Sequence, residues 1–207
     1  MSRTAYARRT NRRIVSPIAV GVVVVTAAIL GPLVYRSALS SAPSFSEALG
    51  GDHGGTTAEA DGVLPDGVTV FDDRYPGVAK LDPDLLRALR EAAADAADDG
   101  VEFHVNSGWR SKEYQNQLLR EAVSKYGSEE EAARWVATAD TSAHVSGDAV
   151  DIGPSDATAW LSEHGADYGL CQIYRNESWH YELRPKATSR GCPRMYADTK
   201  HDPRMQQ

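Results

Sequence analysis

The spacing of apolar positions divides the chain into an N-terminal approach and a folded body. Residues 14–35 carry no charged side chain and include the run Val22-Val-Val-Val25. As a helix this stretch is ~33 Å long at about 1.5 Å per residue, enough to cross a bilayer core. Residues 36–62 turn to Ser, Ala and Gly with no apolar period, which predicts a flexible linker. Periodic structure begins near Val63, so the folded domain is expected over residues 63–207. Val68–Phe71 is short and β-prone after the turn signal Pro65-Asp66-Gly67. Asp82-Pro83-Asp84 opens a helix whose apolar face is Leu85, Leu86, Leu89, Ala92, Ala93 and Ala96, with Gly100 at its C-terminal end. Val101, Phe103 and Val105 alternate, predicting a half-buried strand over 101–106.

Ser111 caps a second helix that turns Tyr114, Leu118, Leu119, Ala122 and Val123 inward and ends near Gly127. Ser128-x-x-Glu131 is a capping box for a further helix containing Trp135 and Val136. Ala149-Val-Asp-Ile152 reads as a buried strand with Ala149 and Asp151 on one face and Val150 and Ile152 on the other. Ser155 begins a helix through Trp160 and Leu161. Residues 169–174 and 179–183 then read as two strands joined by a short polar loop, and after Arg184 the chain is polar and irregular. Helices come first and strands dominate the second half, which predicts an α+β fold.

Charge adds orientation. The 207 residues are 42% hydrophobic and 25% charged, an ordinary globular balance, with a net charge of −7. Arg3, Arg8, Arg9, Arg12, Arg13 and Arg36 all precede the first acidic residue, which leaves 16 of the 22 basic residues against 29 acidic ones, a net −13 for the body. Such a body excludes a nucleic-acid partner, which calls for a basic footprint. Arginines on the N-terminal side of residues 14–35 predict residues 1–13 in the cytoplasm and the domain outside, on a single-pass anchor. The alternative is a cleaved signal, with Ile18–Leu30 as its apolar core and Ser40-Ser41-Ala42 as its cleavage site. For a domain outside the cell, the even cysteine count favours a Cys171–Cys192 disulfide; Cys171 as a zinc ligand is the rival.

The chemistry centres on Ser142-Ala-His144-Val-Ser-Gly147-Asp-Ala149-Val-Asp151. His144 and Asp151 offer one nitrogen and one oxygen to a borderline-soft metal, and Gly147 lets the backbone bring both to one ion. A catalytic zinc takes three protein ligands, and His180 is the best third. Glu177, three residues earlier, is placed to act as general base on a water molecule. Taken singly, each is more often a hydrogen-bonded structural residue. Their joint occurrence with Ser107-Gly108-Trp109-Arg110-Ser111 and Gln115 changes that.

The pattern S-x-H-x-x-G-x-A-x-D, preceded by S-G-W-R-S-x-x-x-Q and followed by E-x-W-H, resembles the zinc D-alanyl-D-alanine peptidases of the VanY carboxypeptidase type, a hedgehog-like metallopeptidase family. The resemblance spans residues 64–183. It implies a small antiparallel sheet carrying the zinc ligands with helices packed on its other face. It further implies one zinc on His144, Asp151 and His180, Glu177 as general base, Arg110 as the cation on the developing oxyanion, and Gln115 and Ser142 as substrate contacts. The implied substrate is a peptidoglycan stem ending in D-Ala-D-Ala. A D,D-dipeptidase or endopeptidase with the same chemistry stays open, as does a zinc-stabilised binding module without catalysis. One departure is Thr138-Ala-Asp-Thr141, where relatives carry a Pro-Gly pair.

Overall fold

The computed structural model describes residues 55–206. The basic N-terminus and residues 14–35, expected to form an anchor or signal, lie outside the described residues. Among the described residues no helix is long and apolar enough to cross a membrane.

The body is built on one four-stranded antiparallel sheet. Strands β1 (His104–Ser107), β2 (Ala149–Gly153), β3 (Leu170–Gln172) and β4 (His180–Leu183) lie in the order β1-β2-β4-β3. Helix α3 (Pro83–Asp98) covers one face. Asp82 caps it by accepting from the Asp84 and Leu85 amides at 3.0 Å each, and Pro83 takes the first turn, where no amide is missed. Its Leu85, Leu89, Ala92 and Ala96 pack with Val150, Ile152 and Tyr181 of the sheet in a single buried cluster. Each fully buried Leu or Ile there contributes about 1.5–3 kcal/mol relative to exposure. Helix α7 (Ser155–His164) adds Ala157 and Leu161 to the same core. Alternation therefore leaves Asp151, His180 and Glu182 on the opposite face of β2 and β4. This is the α+β arrangement expected, with the helices behind the sheet.

Several boundaries differ from expectation. Helix α1 (Gly55–Ala60) occupies the end of the segment predicted as linker, so the folded body begins before Val63. It is tied down from afar: the Ser111 amide donates to Asp61 O at 2.8 Å. Gly62, at φ +101°, sits where a Cβ would fall 2.1 Å from the Trp109 carbonyl oxygen. After it comes helix α2 (Pro76–Ala79). Strand β1 starts at His104 rather than Val101, because the Val101 amide is spent on Ala96 O (2.9 Å) in closing α3. Val68 to Phe71 forms no named strand; Thr69 makes one bridge to His104, and Val68 O accepts from the Val105 amide at 2.7 Å.

Helix α4 (Lys112–Tyr126) begins at its Ser111 cap and ends at Gly127 as expected, but its fully buried residues are Gln115 and Ala122. Helix α5 (Glu129–Ala132) stops before Trp135 and Val136; Trp135 instead stacks on Tyr126, 5.7 Å between ring centres. The tail beyond Arg184 is polar but not irregular. It holds helix α8 (Ala187–Arg190) and 3-10 turns at Thr199–His201 and Pro203–Gln206, with Asp198 and Asp202 buried. Cys171 and Cys192 are joined in a disulfide that ties this tail to β3.

Candidate metal centre and active site

Asp151 and His180 are direct partners across the β2–β4 ladder, so strand register alone sets them side by side. His144 reaches the same point from helix α6 (Ala143–Ser146), which stops at Gly147 with φ +83°. A Cβ at Gly147 would lie 2.5 Å from Lys80 O, so only glycine allows this close approach to the start of α3. The Asp82 amide donates to Gly147 O (2.9 Å) and the Arg110 amide to His144 O (3.1 Å), fixing the short helix from two sides.

His144 Nδ1 lies 2.8 Å from Gly108 O. A carbonyl only accepts, so Nδ1 carries the proton and Nε2 presents a lone pair. That Nε2 is 3.4 Å from Asp151 Oδ1 and 3.3 Å from His180 Nδ1, which is itself 3.2 Å from Asp151 Oδ1. Zinc bonds of about 2.0–2.2 Å in a tetrahedron give ligand separations of about 3.3–3.6 Å. Two imidazole nitrogens and one carboxylate oxygen at these spacings, all buried, thus fit a zinc ion without rearrangement.

The remaining edge of each ligand is occupied. Asp151 Oδ2 accepts from Arg110 Nη2 at 2.9 Å. His180 Nε2 lies 3.2 Å from Glu182 Oε1, so with a carboxylate acceptor there Nε2 keeps its proton and Nδ1 is left for a metal. Burial pushes His180 down, but its bonds to Asp151 and Glu182 outweigh this and raise it to about 9. Burial lowers His144, with Arg110 acting in the same direction, and it stays neutral. Burial opposes ionisation of Asp151, yet His144, His180 and Arg110 hold it well below the usual carboxylate range.

Glu177 is 7% exposed, with an oxygen 3.9 Å from His180 Nδ1. Burial raises its carboxyl to about 7, against the lowering effect of His180.

Arg110 uses three of its five N–H groups within the protein: Nε to Ser107 Oγ (2.7 Å), Nη1 to Gln115 Oε1 (3.1 Å) and Nη2 to Asp151. Gln115, expected as a substrate contact, lies against Arg110 in the structure. It is 1% exposed, its Oε1 holds Arg110 and its Nε2 donates to Ala137 O at 2.9 Å. Each end of the amide thus makes one bond within the protein, and the Oε1 bond ties it to Arg110. Ser142 is buried beside His144 at the start of α6 and makes no cap hydrogen bond to that helix. Trp179 is 39% exposed and so is not a core residue. The disulfide removes Cys171 from the candidate ligands.

The sequence marked Ser107 and Gly108 only as members of a motif, without roles of their own, and gave no part to Glu182 or to the tail groups behind it. Glu182 carried a signal, since it lies two positions from His180 and so on the same strand face. The tail groups carried none.

The model of the family described as VanY, D-alanyl-D-alanine carboxypeptidase, matches residues 78–186, more than half of the chain. A D-alanyl-D-alanine carboxypeptidase of Enterococcus faecalis (strain ATCC 700802 / V583) is 30% identical over 127 residues, covering 49% of this chain and 47% of the relative. The chain thus spans about half the length of that relative. Among solved structures, a vancomycin resistance D,D-pentapeptidase VanY in complex with Zn(II) is 29% identical at a TM-score of 0.47, covering 50% of this chain and 72% of that one. VanYB in complex with D-alanine-D-alanine is 28% identical at a TM-score of 0.49, covering 54% and 78%.

Proposed function

This chain belongs to the VanY family of D-alanyl-D-alanine carboxypeptidases, and from that premise we propose that it is a zinc peptidase removing the C-terminal D-Ala from peptidoglycan stem peptides. The observation that carries the reading is the convergence of His144 Nε2, Asp151 Oδ1 and His180 Nδ1 beside the buried Glu177. A binding module needs neither a buried carboxyl beside the ligand set nor an arginine held against it.

His144, Asp151 and His180 would hold the ion. Zinc supplies Lewis acidity there, polarising a carbonyl oxygen and lowering the pKa of a water molecule. Glu177, buried and with an oxygen 3.9 Å from His180 Nδ1, takes the proton from the attacking water and returns it to the leaving amine. Arg110, fixed by Ser107, Gln115 and Asp151, has two N–H groups without a partner among the described residues, and a guanidinium so held stabilises the developing oxyanion without reorganising. Gln115 keeps that guanidinium aimed. Gly108 O keeps His144 in the tautomer that leaves Nε2 unprotonated. Ser142, buried at the edge of this cluster, is assigned to the substrate side.

The domain is placed outside the cytoplasmic membrane, on a single-pass anchor over residues 14–35 or secreted after signal cleavage. The arginines before that stretch and a disulfide suited to an oxidising compartment support this.

The test is to incubate the full chain with a pentapeptide stem, a free D-Ala-D-Ala dipeptide and a cross-linked muropeptide, and to identify products by mass. Loss of one D-Ala from the pentapeptide is expected. Cleavage of the dipeptide or cross-link alone reassigns the bond, and binding without cleavage of any substrate refutes the enzyme reading.

A further inference from the structure

The tail lies beyond the residues matched by the family model, yet it reaches the back of the ligand set. We propose that Arg204 is a positioning residue for His180, acting through Glu182, with the disulfide-tethered C-terminal segment as its mount. The inference rests on the reading of His180 as a metal ligand.

His180 Nε2 meets Glu182 Oε1 at 3.2 Å. Glu182 is 1% exposed, so its carboxylate must be held by protein groups. Arg204 forks onto both of its oxygens, Nη1 to Oε2 at 2.7 Å and Nη2 to Oε1 at 3.1 Å. Arg184 Nη2 adds a bond to Oε2, but only Arg204 also touches the oxygen that faces His180. A bidentate guanidinium fixes the plane of a carboxylate as well as its charge. The plane of Glu182 in turn sets the direction in which His180 Nδ1 points. Arg204 is itself aimed. Its Nε lies 3.1 and 3.0 Å from the two oxygens of the fully buried Asp202, and Asp202 Oδ2 accepts from Tyr174 OH at 3.0 Å. The Tyr174 ring closes the circle, with its centre 5.0 Å from that of His180.

The mount is covalently and locally secured. Cys192 is bonded to Cys171 of β3, the Tyr196 amide donates to Ile173 O (2.9 Å), and Tyr196 O accepts from the Arg175 amide (3.0 Å). Farther along, Arg134 Nε binds the buried Asp198 at 3.0 Å. This last contact anchors the tail without touching Glu182, which makes it the control.

The experiment measures zinc affinity of the full chain by competition with a chromophoric chelator, together with the visible spectrum of the cobalt form. Arg204→Met is expected to weaken zinc binding by about 10–100-fold, the range for loss of a group supporting a metal ligand, and to shift the cobalt bands. Arg204→Lys, which keeps charge but not the fork, should fall between Arg204→Met and the parent. Arg134→Ala should bind zinc like the parent. If Arg204→Met fails to fold, Arg204→Lys carries the decision, and parent-like affinity and spectrum in it overturn the proposal. Arg204→Met binding zinc as tightly as the parent overturns it, as does an equal loss in Arg134→Ala, which would make the effect one of general tail anchoring. A parent that takes up no zinc overturns the metal reading itself and this inference with it.

Discussion

Replacing Gln115 by Leu separates the two roles that this residue has carried. As a substrate contact, Gln115 would act on KM and leave the fold alone. The structure instead buries it behind Arg110, with bonds at 3.1 Å to Arg110 Nη1 and 2.9 Å to Ala137 O. Leu fills nearly the same volume, so the change is chiefly the loss of these two bonds. A neutral hydrogen bond contributes about 0.5–1.5 kcal/mol, and one to a charged group about 1.5–3 kcal/mol. Their sum, about 3 kcal/mol, lowers the melting temperature by about 6–12 °C for a body of this size. A guanidinium freed on one side also loses its aim, and a misplacement of about 1 Å costs on the order of 10²-fold in rate. The expected result, from thermal melts and from D-Ala release by a pentapeptide stem, is a lower melting point and a lower kcat with KM little changed. Gln115→Glu keeps an acceptor for Arg110 but loses the donor to Ala137 O, so it should recover kcat while still melting early. An unchanged melting point with a raised KM alone would falsify the positioning role and return Gln115 to the substrate.

Glu177→Gln should keep one zinc per chain while hydrolysis drops about 10²- to 10⁴-fold, the usual contribution of general acid–base catalysis; His180→Ala should lose zinc and activity together, and parent-rate cleavage by Glu177→Gln would reject the base assignment. Zinc uptake at pH 7.5 should release about one proton per ion, because His180, raised to about 9 in the metal-free protein, is protonated there and must yield Nδ1. Calorimetry in buffers of different ionisation enthalpy reads this directly, and an uptake without proton release would contradict it. Replacing Cys171 and Cys192 together by Ala should cost ~3 kcal/mol of stability, since the disulfide closes a loop with a sequence separation of 21. Reductant should lower the parent melting point toward that of the double variant and leave the variant unmoved; a reductant-insensitive parent counts against the bond.

Local physics made much of this protein legible from its residues. Asp82, Pro83 and the apolar stripe through Ala96 specify α3 because capping and helical period act within a few residues of one another. Alternation along Ala149–Ile152 sent Val150 and Ile152 to the core and left Asp151 on the other face, where His180 meets it by register. The motifs also pointed to His144, Asp151 and His180, which the fold gathers into a cluster able to hold a metal, with Glu177 beside it. What failed were features that depend on contacts between distant residues. Helix α1 has no apolar period of its own, and the residue that follows it is held by the Ser111 amide fifty residues on. The start of β1 was displaced because α3 claims the Val101 amide. The bond between Gln115 and Arg110 is likewise visible only in the fold. The tail gave no pattern at all, since Arg204 and Asp202 have meaning only against Glu182 and Tyr174, groups more than twenty residues away. Periodicity and capping report the energetics of neighbours in sequence. The orientation of His180 is decided by neighbours in space, and only the tertiary structure brings those together.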